Sequence, residues 1–126
     1  MPKLLTGVIQ KWRGNWDFAV DGGGVATTNV RTLDGPIPNG AIILGGILDV
    51  TVAALSATGT QQLNSEAAAD VMAATAQAGL TIGRKAVIPA FSAATSLKMT
   101  AERNVQLVIA TAAFTAGAWA LTLFYL

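Results

Sequence analysis

The sequence contains neither cysteine nor histidine in its 126 residues. Their absence excludes thiolate and imidazole chemistry, and it removes the usual zinc ligands and the commonest general base. Charge is also scarce, with eight basic and seven acidic side chains that are scattered singly and sum to a net charge of +1. Because no basic stripe exists to follow a phosphate backbone, we do not expect nucleic acid as a partner.

A secretory signal is also not indicated, because only a few apolar residues precede Lys11 and Arg13. The chain has the length of one ordinary domain, and 52% of its residues are hydrophobic. That proportion is enough for a core without metal or disulfide. We therefore expect a single domain over residues 1–126.

The final stretch, Leu107–Leu126, is uncharged and has the length of a membrane-spanning helix. Its large side chains instead recur at every second position, at Leu107 and Ile109 and again at Trp119, Leu121, Leu123 and Tyr125. Period two is typical of strands with one packed face, and the interruption at Thr115–Gly117 indicates a hairpin turn. The two-strand interpretation is favoured, and a small membrane protein anchored by Leu107–Leu126 stays open as the alternative.

Elsewhere, short apolar runs alternate with turn signals at the spacing of an all-β sandwich or barrel. The clearest turns are Asp21–Gly24 and Asp34–Gly40. Further candidate strands are Leu4–Lys11, Trp16–Val20, Val25–Leu33, Ala41–Ala54, Leu80–Ile88 and Ser96–Thr100.

The alanine-rich segment Ser65–Gly79 has almost no apolar stripe, so we predict a loop there with at most a turn or two of helix around Ala67–Ala73. The sequence thus predicts an antiparallel β-sandwich of about eight strands with at most one short helix.

Residues that could perform chemistry are few. The triple glycine Gly22–Gly24 lacks the Lys-Ser/Thr ending of a phosphate-binding loop and opens no predicted helix, so a plain turn is favoured. The spacing of Asp17, Asp21, Asp34 and Asp49 does not bring any two of them together as a catalytic pair. We therefore expect no enzyme activity, no cofactor and no metal.

The aromatic stretch that begins at Lys11 is the best candidate for an interaction site. Trp12, Arg13, Trp16 and Phe18 are the candidate contact residues, because Trp and Arg are enriched at interface centres. The same rings could instead close one end of the core, or they could stack on sugars or bases. Sugar stacking leaves a carbohydrate-binding fibre or tail β-module open as a further alternative.

Several turn and strand patterns along the chain match one known kind of protein. They are Asp17–Gly23, Ile37–Ile43, Leu48–Thr51, Ala73–Thr75, Leu97–Val105 and Leu107 onward, with Phe114–Gly117 and Leu121–Tyr125. These segments resemble small structural proteins of tailed-bacteriophage virions, and more narrowly the jelly-roll capsid decoration (cement) proteins. The resemblance runs from about Asp17 to Leu126, whereas residues 1–15 match less clearly.

The resemblance implies a jelly-roll-like β-sandwich that binds the outside of an assembled phage capsid and strengthens the shell. The implied partners are the major capsid protein and further copies of the chain, with a trimer favoured over a dimer and no membrane. Residues 1–15 are then a candidate N-terminal arm for subunit or capsid contacts. The apolar excess of the chain independently favours burial of additional surface in a homo-oligomer.

Overall fold

The computed structural model describes residues 8–89 and 98–126, and it shows an all-β protein of two antiparallel sheets. The strands are β1 (Gln10–Asp17), β2 (Ala26–Asn29), β3 (Arg31–Thr32), β4 (Ile43–Leu55), β5 (Thr60–Asn64), β6 (Met72–Ala76), β7 (Gly83–Val87), β8 (Gln106–Ala110) and β9 (Ala116–Tyr125). One α-helical turn, α1 (Phe18–Asp21), follows β1, and a 3-10 turn spans Gln77–Gly79. The predicted fold class, a β-sandwich, is confirmed.

The strands form a nested set of antiparallel pairs, in which β1 pairs with β9, β2 with β8, β4 with β7 and β5 with β6. Two further pairings, β4 with β9 and β5 with β8, complete the sheets. The resulting orders are β3-β1-β9-β4-β7 and β2-β8-β5-β6. This is the strand order of a jelly roll, with β3 added at one edge.

The alternation of side chains in β9 builds the middle of the core. Trp119, Leu121 and Leu123 point into the sandwich and are almost fully buried, whereas Ala118 and Ala120 point outward. Period-two packing of this kind is what a half-buried strand requires. The other sheet contributes Leu63, Leu107 and Ile109 to the same core.

One side-chain hydrogen bond joins the two sheets through the core. Trp119 Nε1 donates to Gln61 Oε1 over 2.8 Å, and both residues are buried. A buried polar atom without a partner is costly, so this donor and acceptor stabilise each other's burial. The Trp119 ring also lies 6.1 Å from the Trp16 ring, which meets Phe114 edge to face at 6.2 Å. The hydrogen bond thus helps to fix how the sheets sit on each other, and the ring contacts hold β1, β9 and the β8–β9 connection together.

The C-terminal segment Leu107–Leu126 forms two strands, so the membrane-helix alternative is wrong. The described ranges contain no helix long and apolar enough to cross a membrane. The predicted hairpin is also wrong, because β8 and β9 lie in opposite sheets and do not pair with each other. Both runs carry large side chains on one face, and these faces meet across the core. The chain between them crosses from one sheet to the other, with Thr111 at a φ of 74°.

Two other expectations differ from the structure. The strand predicted over Trp16–Val20 is interrupted, because β1 ends at Asp17 and the next four residues form α1. The loop predicted over Ser65–Gly79 contains strand β6 because Met72–Ala76 pairs with β5, a strand that was not predicted either. The strand predicted over Ser96–Thr100 begins outside the described residues, and within them Lys98 makes an isolated bridge with Ile42.

The N-terminal arm stays a prediction. Its first seven residues lie outside the described residues, whereas Gln10–Asn15 belongs to β1 and pairs with β9. An arm would therefore have to consist of the residues before Gln10.

The triple glycine is a turn, as predicted, and each glycine meets a different requirement. Gly22 ends α1 with a φ of 77°, a conformation that side chains disfavour. Gly23 accepts a hydrogen bond from Phe114 N over 2.8 Å, and a Cβ at this position would lie 2.2 Å from Phe114 O. Gly24 has open space around it. Only the first two positions therefore require glycine.

We expect Gly23→Ala to lower the free energy of unfolding by about 1–3 kcal/mol, because its methyl group would collide with the Phe114 backbone. The matched variant Gly24→Ala should cost nothing and could add up to about 1 kcal/mol by restricting the unfolded chain. Urea unfolding of both variants measures the difference. Equal effects of the two substitutions would show that the packing of Gly23 on Phe114 is not as described.

Candidate interaction surfaces

Two of the four predicted contact residues lie in the core. Trp12 and Trp16 are 1% and 3% exposed, and their indole N–H groups donate to Gly35 O at 2.7 Å and to Gly22 O at 2.9 Å. Their rings therefore have almost no surface to offer a partner. Their position agrees with the alternative in which these rings close one end of the core.

The other two predicted contact residues are accessible. The Arg13 side chain is 68% exposed on the outward face of β1, and Phe18 is 37% exposed at the start of α1. The contact role of all four residues stays a prediction. In the geometry of the single chain, only Arg13 and Phe18 could carry it.

The segment after β3 covers the outer edge of β1 and holds Arg13 in place. Asp34 Oδ2 accepts from Arg13 N over 2.7 Å and lies 3.6 Å from the Arg13 guanidinium, and Thr32 Oγ1 donates to Arg13 O. Side chains thus replace a neighbouring strand as hydrogen-bond partners at this position.

An open groove of about 390 Å³ lies along this edge, lined by Arg13, Asn15, Arg31, Thr32, Leu33 and Asp34. Arg31 donates from Nε and Nη2 to the carboxylate of Asp21, both over 3.2 Å, and this hydrogen-bonded pair raises the pKa of Arg31 above its ordinary value. Leu33 is fully exposed beside these charges. A groove that combines an exposed leucine with two arginines has a composition suited to protein contact.

The outer face of the five-stranded sheet is apolar along most of its two central strands, with Asp49 as their one charged residue, and we call it the β4–β9 face. The exposed large residues of β4 are Leu44, Ile47, Val52 and Leu55, at 42%, 41%, 50% and 51%, and Leu44 lies at the irregularity between Ile43 and Gly45. On β9 the outward positions are Ala116, Ala118, Ala120, Thr122 and Phe124. A continuous exposed apolar surface of this kind marks an interaction site more often than isolated apolar residues do.

The outer face of the four-stranded sheet is different. None of the strands β2, β5, β6 and β8 contains a charged residue, and their outward side chains are mostly hydroxyls and amides. The outward positions include Thr27, Asn29, Thr60, Gln62, Asn64, Gln106, Val108 and Ala110. The two broad faces of the sandwich thus differ in polarity.

A polar cluster closes one end of the sandwich, where the β5–β6 loop meets the segment before β8. Glu66 accepts from Thr100 N and Thr100 Oγ1, each over 2.8 Å, and from Arg103 Nε over 2.6 Å. These hydrogen bonds, led by the one from the Thr100 backbone, lower the pKa of Glu66 from 4.5 to about 2. Buried Asp70 shapes the same loop by accepting from Ser65 N at 2.7 Å.

Three of the four aspartates weighed as catalytic candidates are engaged locally, and the fourth, Asp49, lies apart from them on β4. Asp17 caps α1 by accepting from Ala19 N over 2.9 Å, and Asp21 accepts from Asp17 N over 2.9 Å. Asp34 binds Arg13, as described above. Within residues 8–89 and 98–126, no group of three or more His, Cys, Asp or Glu side chains could hold a metal ion.

Comparison with solved structures places this fold among bacteriophage capsid chains. A chain of the cyanophage Pam1 capsid asymmetric unit is 21% identical with a TM-score of 0.60, and the match covers 93% of this chain and 83% of that one. A chain of the acidic stable capsid of Helicobacter pylori bacteriophage KHP30 is 12% identical with a TM-score of 0.62, and the match covers 94% of this chain and 87% of that one. A chain of the capsid of Ralstonia phage GP4 is 18% identical with a TM-score of 0.60, and the match covers 95% of this chain and 84% of that one.

The likeness is one of fold. No known protein family and no curated protein matches the sequence. The jelly-roll arrangement is therefore shared with these capsid chains although few residues are identical.

Substitutions should separate the core role of Trp12 from the surface role of Arg13. Trp12→Ala leaves a large cavity and should lower the free energy of unfolding by about 3–5 kcal/mol. Arg13→Ala removes only an exposed ion pair and should cost about 1 kcal/mol or less. Denaturant unfolding of both variants tests this, and a small loss for Trp12→Ala would contradict its burial.

The stability contributed by Glu66 should depend on pH. Because its folded-state pKa of about 2 lies below the ordinary 4.5, the ionised carboxylate stabilises the fold above pH 4.5. This contribution is lost as the pH falls from 4.5 towards 2. Glu66→Gln should therefore be less stable than the parent chain at neutral pH and approach it at the acid end of that window.

Urea unfolding midpoints measured across that pH range provide the readout. Glu102→Gln is the control, since it removes the same charge from an exposed side chain that forms no ion pair in the described ranges. A constant difference between Glu66→Gln and the parent chain at every pH would contradict the assignment.

Proposed function

We propose that this chain is a structural protein of a bacteriophage virion, which binds the outside of the capsid and stabilises the shell as a decoration protein. Its partner on the shell would be the major capsid protein. The proposal carries no catalytic step, and it depends on shape and surface alone.

The observation that carries the proposal is the fold likeness to chains from three phage capsids. The matches extend over 93–95% of this chain and 83–87% of the capsid chains, so they involve the whole sandwich rather than one motif. Because one fold can host unrelated functions, the surfaces must support the role as well.

The surfaces of the chain suit attachment to other proteins. Arg13 and Leu33 lie at the groove along the β1 edge, and Phe18 lies at the end of the same strand. An exposed Arg beside apolar side chains is typical of interface centres. We propose that Arg13, Leu33 and Phe18 contact the shell.

The stabilising mechanism would be additive. Each copy buries a modest interface on the assembled shell and not on the separated subunits, so binding shifts the equilibrium towards the assembled state. Copies joined in a homo-oligomer would act together, since release requires several contacts to break at once. The sequence resemblance favours a trimer over a dimer for that oligomer, whereas the pairing of larger with smaller side chains on the β4–β9 face favours a dimer.

The carbohydrate-binding alternative loses its main support in the structure. It depended on exposed tryptophans, and all three tryptophans of the chain are 1–3% exposed. Stacking on sugar rings would need at least one of these faces to be accessible. We therefore do not propose it.

Co-expression with the major capsid protein from the same genome tests the proposed function. We expect the chain to sediment with the assembled particles in a fixed ratio. A particle-impermeant amine reagent should label it on the exposed Lys11 and Lys98. Particles made without the chain should still assemble but should open at a lower temperature.

Variants of the chain supply the controls for this experiment. Arg13→Ala and Phe18→Ala should reduce the amount bound to particles, whereas Gln62→Ala on the opposite sheet should not. Particles that never contain the chain would refute the proposal. Particles that fail to assemble without it would identify a shell subunit instead of a decoration protein.

A further inference from the structure

In each outward register pair on the β4–β9 face, one side chain is clearly larger than the other. Ile47 pairs with Thr122, Val52 with Ala118, Leu55 with Ala116, Asp49 with Ala120, and Phe124 with Gly45. In four of the five pairs the large residue lies on β4, and in the fifth it lies on β9. Strand β4 therefore forms a ridge and β9 a shallow trough beside it. At the Phe124–Gly45 pair the larger side chain is on β9 instead.

This pattern is complementary to itself under a two-fold rotation. An axis that runs parallel to the strands between β4 and β9 places β4 of one copy over β9 of the other. Each residue then lies over the register partner that it has in its own chain. Val52 of one copy lies over Ala118 of the second, and Phe124 lies over Gly45. In each of these five pairs the larger side chain of one copy faces the smaller one of the other, which is the shape that a two-fold interface needs.

The charges at the rim of the face fit the same arrangement. The axis also places β1 of one copy over β7 of the other. Within one chain, outward residues of β1 are aligned across β9 and β4 with residues of β7, and these aligned residues face each other in the pair. Arg13 then lies at the rim opposite Ala86 of the second copy, with its guanidinium directed away from β9 towards Asp34 and still open to a shell partner, and Arg84 faces the uncharged Asn15. No two like charges are brought opposite each other, so the pairing avoids the repulsion that opposes association.

The area of the face suffices for a stable pair. Residues follow each other at about 3.4 Å along a strand and strands lie about 4.8 Å apart, so β1, β9, β4 and β7 together present about 600 Å² in plane. The accessible surface is larger than this in-plane area because side chains project from it. A standard interface buries about 800 Å² of accessible surface per partner, which is comparable. Stacked sheets with nearly aligned strands pack about 10 Å apart, which side chains of this size can fill.

From these observations we propose that two copies of this chain associate face to face through the β4–β9 faces, about a two-fold axis parallel to the strands. The contact is isologous. A trimer has a heterologous interface, in which register partners are not exchanged, so the large-to-small pairing would have no role there. The inference does not rest on the proposed function, because it concerns the protein in solution without a shell.

Light scattering coupled to size-exclusion chromatography tests the proposal at micromolar to submillimolar concentration. The wild-type chain should have about twice the protomer mass of 12.9 kDa. Ala118→Arg should return the mass to that of one chain. Its matched control is Ala110→Arg, which adds the same side chain at a half-buried outward alanine of the other sheet and should stay a dimer.

Two further variants keep the test decisive if Ala118→Arg fails to fold. Val52→Glu changes a half-exposed side chain and should also give monomers with an unchanged circular dichroism spectrum. Ala118→Cys introduces a unique thiol, because the chain has no cysteine. The two position-118 Cα atoms of the pair would lie about 11 Å apart. A short bismaleimide should therefore link them, but it should not link Thr27→Cys on the opposite face.

Several results would overturn the proposal. They are a single-chain mass at all concentrations, a mass of three chains, or a dimer that survives both Ala118→Arg and Val52→Glu. Dissociation by Ala110→Arg, or cross-linking of Thr27→Cys in preference to Ala118→Cys, would also overturn it. Loss of the dimer in solution would leave shell binding by single chains intact, so the two proposals fail independently.

Discussion

The structure depends on the alternation of side chains in β9, which is hydrogen-bonded along both edges. Because β1 and β4 hold it on either side, its register cannot shift by one residue without exchanging core and surface. Its inward positions carry Trp119, Leu121 and Leu123, and its outward positions from Ala116 to Thr122 carry only alanine and threonine. One strand thus determines both how the sheets pack and how smooth the outer face is.

The fold class could be predicted because period two is strong in the C-terminal segment, where both strands have one packed face. The pairing of those strands could not. The interruption at Thr115–Gly117 has the composition of a hairpin turn, but side-chain parity is the same for two paired strands and for two strands that face each other across a core. Strands β5 and β6 were missed because Gln61 is a core residue, and the outward residues around it are polar or small.

The candidate surfaces were predicted in part. A tryptophan in the sequence indicates either an interface centre or a core, and local residues do not distinguish the two. In the structure Trp12 and Trp16 are buried in the core. Arg13 lies between them in the strand and points outward. The apolar residues of β4 were hidden by irregularities between Ile43 and Gly45 and between Val50 and Val52, which break the alternation. The excess of apolar residues over what one core needs was the available signal for that face.

Satisfaction of the β1 edge by side chains has a consequence for assembly. The Arg13 amide and carbonyl are already bound by Asp34 and Thr32, and β3 pairs with Gly14 and Asn15, so the middle of this edge offers no hydrogen-bonding ladder to an incoming strand. Edge-to-edge addition would propagate without limit, as it does in fibrils, at any site where many copies are crowded together. Blocking it favours closed assemblies of fixed size over open-ended polymers.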